Sequence, residues 1–187
     1  MRSNILRALA VSAILSVSAF AGVAYAENPM VGGAPMLANK NIIENAVNSK
    51  DHTTLVAAVK AAGLVDTLEG KGPFTVLAPT NEAFAALPAG TVDNLLKPEN
   101  KAMLVKILTC HVIAAKAMSA DIVSMAKADG GTHVVDTVGG CKLSLKADGG
   151  KVTVTDENGN VANVTIADVE QSNGVIHVID KVLLPKS

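Results

Sequence analysis

The sequence predicts an α+β domain, and three observations predict it. Apolar residues recur at helical spacing from about Asn41 to Leu108. From Gly131 onward, short alternating segments are broken by Gly- and Asn-rich turns. Helices cluster before strands, which argues against a parallel βαβ sheet. No internal repeat is visible, so one copy of the unit is expected.

The helical half can be read in order. Asn41 to Ser49 places Ile42, Ile43, Ala46 and Val47 on one stripe. Asp51 is the expected N-cap of the next helix. Leu55, Val56, Val59 and Ala62 form its apolar face, and Gly63 suits its left-handed terminus. Leu64 to Leu68 is expected as a short helix stopped by Gly70, and Phe74 to Leu77 as a buried strand. Pro79-Thr80-Asn81 then turns the chain into a helix bearing Ala83, Phe84 and Leu87. Thr91 to Leu96 reads as another short helix. Pro98 suits the first turn of a longer one, with Met103, Leu104, Ile107 and Leu108 facing inward.

After His111 the pattern changes. His111-Val112-Ile113 reads as a strand start, and Ser119 as the cap of a helix running through Met125. Thr132–Val138, Cys141–Lys146, Lys151–Thr155 and Val161–Ile166 are expected strands. Asp148-Gly149-Gly150 and Asn158-Gly159-Asn160 separate them as hairpin turns. Ser172-Asn173-Gly174 is a turn signal, because Asn and Gly tolerate positive φ. Val175 to Ile179 is a β-branched strand, and Pro185 closes the segment.

The N-terminus reads as a targeting segment. Arg2 and Arg7 precede an apolar run from about Ala8 to Val23, and Ala24-Tyr25-Ala26 is a small-x-small cleavage signal. Residues 1–26 are therefore expected to be a signal peptide cleaved after Ala26. Residues 27–37, with Pro29, Gly32, Gly33 and Pro35, are expected to be a flexible lead, and 38–187 the domain. The expected location is periplasmic or secreted, with no membrane insertion after cleavage.

Composition excludes several partners. The chain has 16 Lys+Arg and 17 Asp+Glu; losing Arg2 and Arg7 leaves 14 against 17, a formal charge of −3. That balance argues against nucleic acid. Tyr25 and Phe20 lie in the signal segment, so the mature chain retains only Phe74 and Phe84 as aromatics. Base stacking is thereby excluded. There is no G-x-S-x-G elbow, P-loop or dinucleotide fingerprint, so no enzyme and no cofactor are expected. The histidines, His52, His111, His133 and His177, lack H-x-H or H-E-x-x-H spacing, and no metal site is expected. His52 and His133 read as surface residues, His111 and His177 as structural ones. Asn163-Val164-Thr165 matches a glycosylation sequon.

Two cysteines in an exported chain point to a Cys110–Cys141 disulfide. The alternative is a reactive Cys110 activated by His111. Adjacent strand residues point to opposite faces, which disfavours it.

Three blocks resemble the fasciclin-type domain. Phe74-Thr75-Val76-Leu77-Ala78-Pro79-Thr80-Asn81-Glu82-Ala83-Phe84 resembles its first signature block. Leu108-Thr109-Cys110-His111-Val112 resembles the central block, with Cys110 where many members have tyrosine. Asn173-Gly174-Val175-Ile176-His177-Val178-Ile179-Asp180 resembles the last. The resemblance spans about Leu37 to Pro185 and implies a β-sandwich wedge with helices packed around it.

It also implies an adhesion or interaction module acting through contacts with an extracellular or cell-surface protein, since eukaryotic members engage integrins and matrix. The alternative it implies is a carrier of an apolar small ligand such as a carotenoid. Two positions are implicated in partner contact. One is the central block, here Cys110-His111. The other is an acid-aliphatic pair upstream of the last block, here Asp168-Val169 without the acid and proline that often precede it. His111, Asp168 and Val169 are thus the candidate partner-binding residues.

Overall fold

A computed structural model describes residues 28–186, so the expected signal peptide lies outside the described residues. The lead is not a loose arm. β1 (Met30–Val31) pairs with β2 (Ala34–Pro35) across Gly32 and Gly33, both at positive φ. Val31 and Met36 are 3% and 2% exposed, which buries them in the core. The Lys50 N–H donates to the Gly32 carbonyl, and the Leu37 N–H to Asn45 Oδ1. The flexible-lead expectation is corrected from Met30 onward: the Gly and Pro residues build a tight hairpin, and two apolar side chains anchor it.

Among the described residues seven α-helices follow the first-half pattern and its continuation: α1 (Ile42–Ala46), α2 (Thr53–Ala62), α3 (Val65–Glu69), α4 (Asn81–Ala85), α5 (Thr91–Leu95), α6 (Lys101–Thr109) and α7 (Ser119–Ala128). Gly63 ends α2 at φ 73°, as its position predicts. Asp51 does not cap that helix. It lies in a 3₁₀ turn, and the cap comes from outside the segment, where Asn81 Oδ1 accepts the Thr54 N–H at 3.0 Å. Met103 does not face inward; it is 59% exposed, one turn-step off the buried stripe of Leu104, Ile107 and Leu108.

The strands are β3 (Phe74–Pro79), β4 (Val112–Ile113), β5 (Thr132–Asp136), β6 (Lys142–Asp148), β7 (Lys151–Thr155), β8 (Val161–Gln171) and β9 (Gly174–Ile179). They form one sheet in the order β4-β3-β9-β8-β7-β6-β5. Among the described residues only β3 and β9 run parallel, and these are the strands of the first and last signature blocks. The β5–β6 connection reaches back to the far edge: Val138 N–H donates to the Val112 carbonyl and Gly139 N–H to the Thr109 carbonyl. The sheet is therefore nearly closed on itself.

Two apolar clusters hold these layers. One packs α1–α6 against Val76, Ala78, Val169, Ile176 and Val178. The other packs Ile122 of α7 against Leu143, Leu145, Val154, Ala162 and Ile179. β9 is buried along its whole length, as expected of the strand shared by both.

Candidate functional site

The site grows from an irregularity in β8. Pairing of β8 with β9 shifts register between Val164, Ile166 and Val169. Such bulges bend a strand and re-aim a side chain. Asp168 sits in the bulge at φ 58°, the left-handed region that Asp tolerates better than most residues. Its backbone N–H donates to Nδ1 of His177 at 3.2 Å. Its carboxylate accepts the Ser119 N–H at 2.6 Å and also the Ser119 hydroxyl. Ser119 is the first residue of α7, so an anion here complements the partial positive charge of the helix terminus. Ser119 is thus held by Asp168 and does not cap its own helix. The carboxylate of Asp121 accepts the Met118 N–H instead.

Around this bulge lies a surface pocket of about 240 Å³, lined by Asn28, Pro29, Met36, Met118, Asp168 and Glu170. Lys116 and Glu170 form an exposed ion pair at 2.8 Å on its border. Asp168 is only half-buried. Its neighbour Val169 is 0% exposed and faces the core. His111 is 2% exposed. Both are corrected as direct contact residues: strand alternation turns Val169 inward when Asp168 turns outward, and His111 is enclosed between α6 and the C-terminal segment.

The histidines organise backbone from inside. His111 Nδ1 lies 2.8 Å from the Ile107 carbonyl, and Nε2 accepts the Leu183 N–H at 2.9 Å. These partners make Nδ1 the protonated nitrogen. His177 has the other arrangement, with Nε2 donating to the Ala117 carbonyl at 2.8 Å while Nδ1 accepts from Asp168. Burial pushes His111 down to about 4, and it lowers His52 and His177 as well. His52 is corrected from a surface residue: it is 3% exposed, with Nδ1 2.9 Å from Ser49 Oγ. His133 is partly exposed and pairs with Asp129 at 2.5 Å.

Cys110 and Cys141 are bonded, with Cα atoms 5.3 Å apart, and both are almost fully buried. The bridge ties the end of α6 to the start of β6. Gly139 beside it has no room for a side chain, since a Cβ would lie 2.8 Å from the Cys110 nitrogen. Asn163 of the sequon is engaged within the sheet, donating its side-chain amide to Asp180 at 2.7 Å.

Three polar hubs in the signature blocks act at long range. Thr75 Oγ1 donates to the Ala115 carbonyl and accepts the Ala117 N–H, placing the segment that His177 also holds. Asn81 ties α4 to α2 and to the Lys50 carbonyl. Asn173 accepts the Ile42 N–H and donates to the Leu68 and Gly70 carbonyls. In the sequence Asn81 and Asn173 stand only as turn residues. Only their polar type at a turn was visible; the partners lie up to 131 positions away.

An apolar cavity of about 50 Å³ lies under α1, lined by residues such as Ile43, Leu55, Val59, Phe74 and Leu108. Among the described residues, no group of three or more His, Cys, Asp or Glu is placed to hold a metal ion.

A nearly closed sheet with one parallel pair and a helical cap, whose signature polar groups bind its own backbone, defines an α+β wedge of the fasciclin type. The chain belongs to that family: the profile of the fasciclin domain matches residues 50–185. It is 54% identical over 144 residues to protein sll1483 of Synechocystis, covering 77% of this chain and 73% of that one. It is 37% identical over 145 residues to immunogenic protein MPB70 of Mycobacterium bovis, covering 75% and 66%. Cell surface glycolipoprotein MPB83 of the same species is 36% identical, covering 86% and 68%. A fasciclin domain pair from the insect cell adhesion molecule Fasciclin I shares the fold, with a TM-score of 0.69 at 21% identity over 78% of this chain and 51% of that chain. Among the described residues no helix is long and apolar enough to cross a membrane.

Proposed function

We propose that this domain is a non-enzymatic, extracytoplasmic interaction module that contacts a surface or matrix protein through the rim around Asp168. The observation that carries this reading is the β8 bulge, which holds a half-exposed acid rigidly at the mouth of an open pocket. A prearranged acid loses little freedom on binding and favours a cationic group on the partner. Glu170 adds a second carboxylate to the same rim. His111 and Val169 serve it from inside, as packing and not as contacts. The relative named as a cell surface glycolipoprotein supports an extracytoplasmic setting. Export through a signal peptide cleaved after Ala26 is part of the same proposal, and N-terminal sequencing of the chain from its host should begin at Glu27.

The carrier of an apolar ligand is the weaker reading. A cavity of about 50 Å³ is far below the ~300–1,000 Å³ of a small-molecule pocket, so α1 would have to move. Native purification with an absorbance scan separates the two. A visible band would sink the contact reading in favour of the carrier. A colourless preparation that binds a surface protein, with binding lost in Asp168→Ala/Glu170→Lys, supports contact.

A further inference from the structure

We propose that β5 is a self-complementary edge through which two copies of this chain pair. The β5–β6 register places Thr132, His133, Val134, Val135 and Asp136 opposite Lys146, Leu145, Ser144, Leu143 and Lys142. The same register puts Thr137 opposite Cys141, and the Thr137 N–H donates to the Cys141 carbonyl at 2.9 Å. Hydrogen-bonded pairs alternate along an antiparallel ladder. His133 and Val135 therefore point their backbone groups at β6, whereas Thr132, Val134 and Asp136 point theirs away from it; Val138, next in that outward series, gives its N–H to Val112 of β4, so the edge is open over Thr132–Asp136. Among the described residues, those three N–H groups take part in none of the turn, loop or cap hydrogen bonds, and the register gives them no partner on β6.

The edge is only lightly protected. Natural edges are guarded by lysine or other charges, proline, bulges or short length; β5, T-H-V-V-D, is short and carries one acid, Asp136, but no lysine, proline or bulge. Val134 at its centre is 54% exposed.

Charge and symmetry select the occupant. An antiparallel second copy centred on Val134 sets Val134 against Val134 of the second copy and Thr132 against Asp136 of the second copy. All three outward pairs then face each other in the hydrogen-bonding sense, giving about six backbone bonds. Each Asp136, already paired with Lys142 at 2.7 Å, meets a row that ends in Lys146 of the other copy. The two acids stay at opposite ends, so no like charges are apposed. The contact is small, which places it among weak, concentration-dependent associations.

Sedimentation equilibrium of the mature chain, from micromolar to millimolar, should show the mean mass rising toward twice the monomer. Val134→Pro removes an N–H that the monomer does not use and should abolish the rise; Val134→Lys, which apposes two cations, should do the same if the proline variant fails to fold. The hydrogen-bonded pair puts the two Cα atoms ~5.5 Å apart, within disulfide range. Val134→Cys should thus cross-link two copies under mild oxidation, whereas Val161→Cys, at an exposed valine on an interior strand, should not. A chain that stays monomeric throughout, or equal cross-linking at both positions, overturns the proposal. So does pairing of β5 with a strand of another protein in preference to itself.

Discussion

The carboxylate of Asp168 and the first residue of α7, Ser119, are joined twice, through the backbone N–H and through the hydroxyl. The bulge and the helix are therefore one unit. Asp168→Ala removes a charge-assisted pair of bonds from a half-buried site and should cost ~1–3 kcal/mol. Asp168→Asn keeps an acceptor and tolerates the left-handed backbone, so it should cost less. Urea denaturation gives the order, and hydrogen exchange at the start of α7 should accelerate most in the alanine variant.

Stability should fall on acidification. The cause is that each buried histidine accepts a hydrogen bond through its unprotonated nitrogen or sits where charge is poorly solvated. The folded pKa is lowered, so the unfolded chain takes the proton first. Folding is then unpenalised above about pH 6.5 and progressively weakened as pH drops toward 4. For His111, moved from 6.5 to about 4, the full window is worth ~3 kcal/mol at ~1.4 kcal/mol per unit. His52 and His177 act in the same direction. Urea midpoints at a series of pH values measure the slope. His111→Gln should lower stability at pH 7 and flatten the slope; an unchanged slope would refute the assignment.

The Cys110–Cys141 bridge closes a loop of 31 residues, which in the chain-entropy model stabilises by ~3–4 kcal/mol. The double variant Cys110→Ala/Cys141→Ala should lose about that much in denaturant unfolding. Thiol titration of denatured, unreduced protein should find no free thiol; two free thiols would contradict the bond.

Much of this architecture was legible because local signals were dense. The alternation of Lys151–Thr155 coincides with β7, and the place of Gly63 after an apolar stripe with the end of α2. The errors share one physical origin, which is that tertiary contacts replaced local ones. Asp51 looked like a cap, but Asn81 supplies it from 27 residues away. Met30 to Met36 looked like linker because Gly and Pro carry no period, yet two side chains suffice to bury it. Asp156 carries no local signal of its role, yet its carboxylate accepts the N–H groups of Asn158, Asn160 and Leu184 and so shapes the Asn158-Gly159-Asn160 turn. At the candidate site Asp168 lies half-exposed in the β8 bulge. Val169 and His111 are buried, and that burial depends on sheet register, which no local pattern encodes.

Gly174 offers a sharp test of that tertiary logic. It faces Phe74 across the parallel β3–β9 pair, the junction of the first and last signature blocks. A Cβ added there would strike the Phe74 carbonyl, which is backbone and cannot swing aside. Both strands lie in the middle of the sheet, and Asn173, one residue earlier, is already fixed by Ile42, Leu68 and Gly70. The segment cannot retreat without breaking those bonds. Gly174→Ala should therefore destabilise by more than the ~1 kcal/mol that backbone propensity alone would move, in the range of ~2–4 kcal/mol typical of core overpacking and broken polar contacts. At Gly150, which has open space around it, alanine should be limited to the strain of a positive φ. Thermal unfolding of the two variants side by side checks this; equal losses would show that the close approach of β9 to β3 is not what requires glycine.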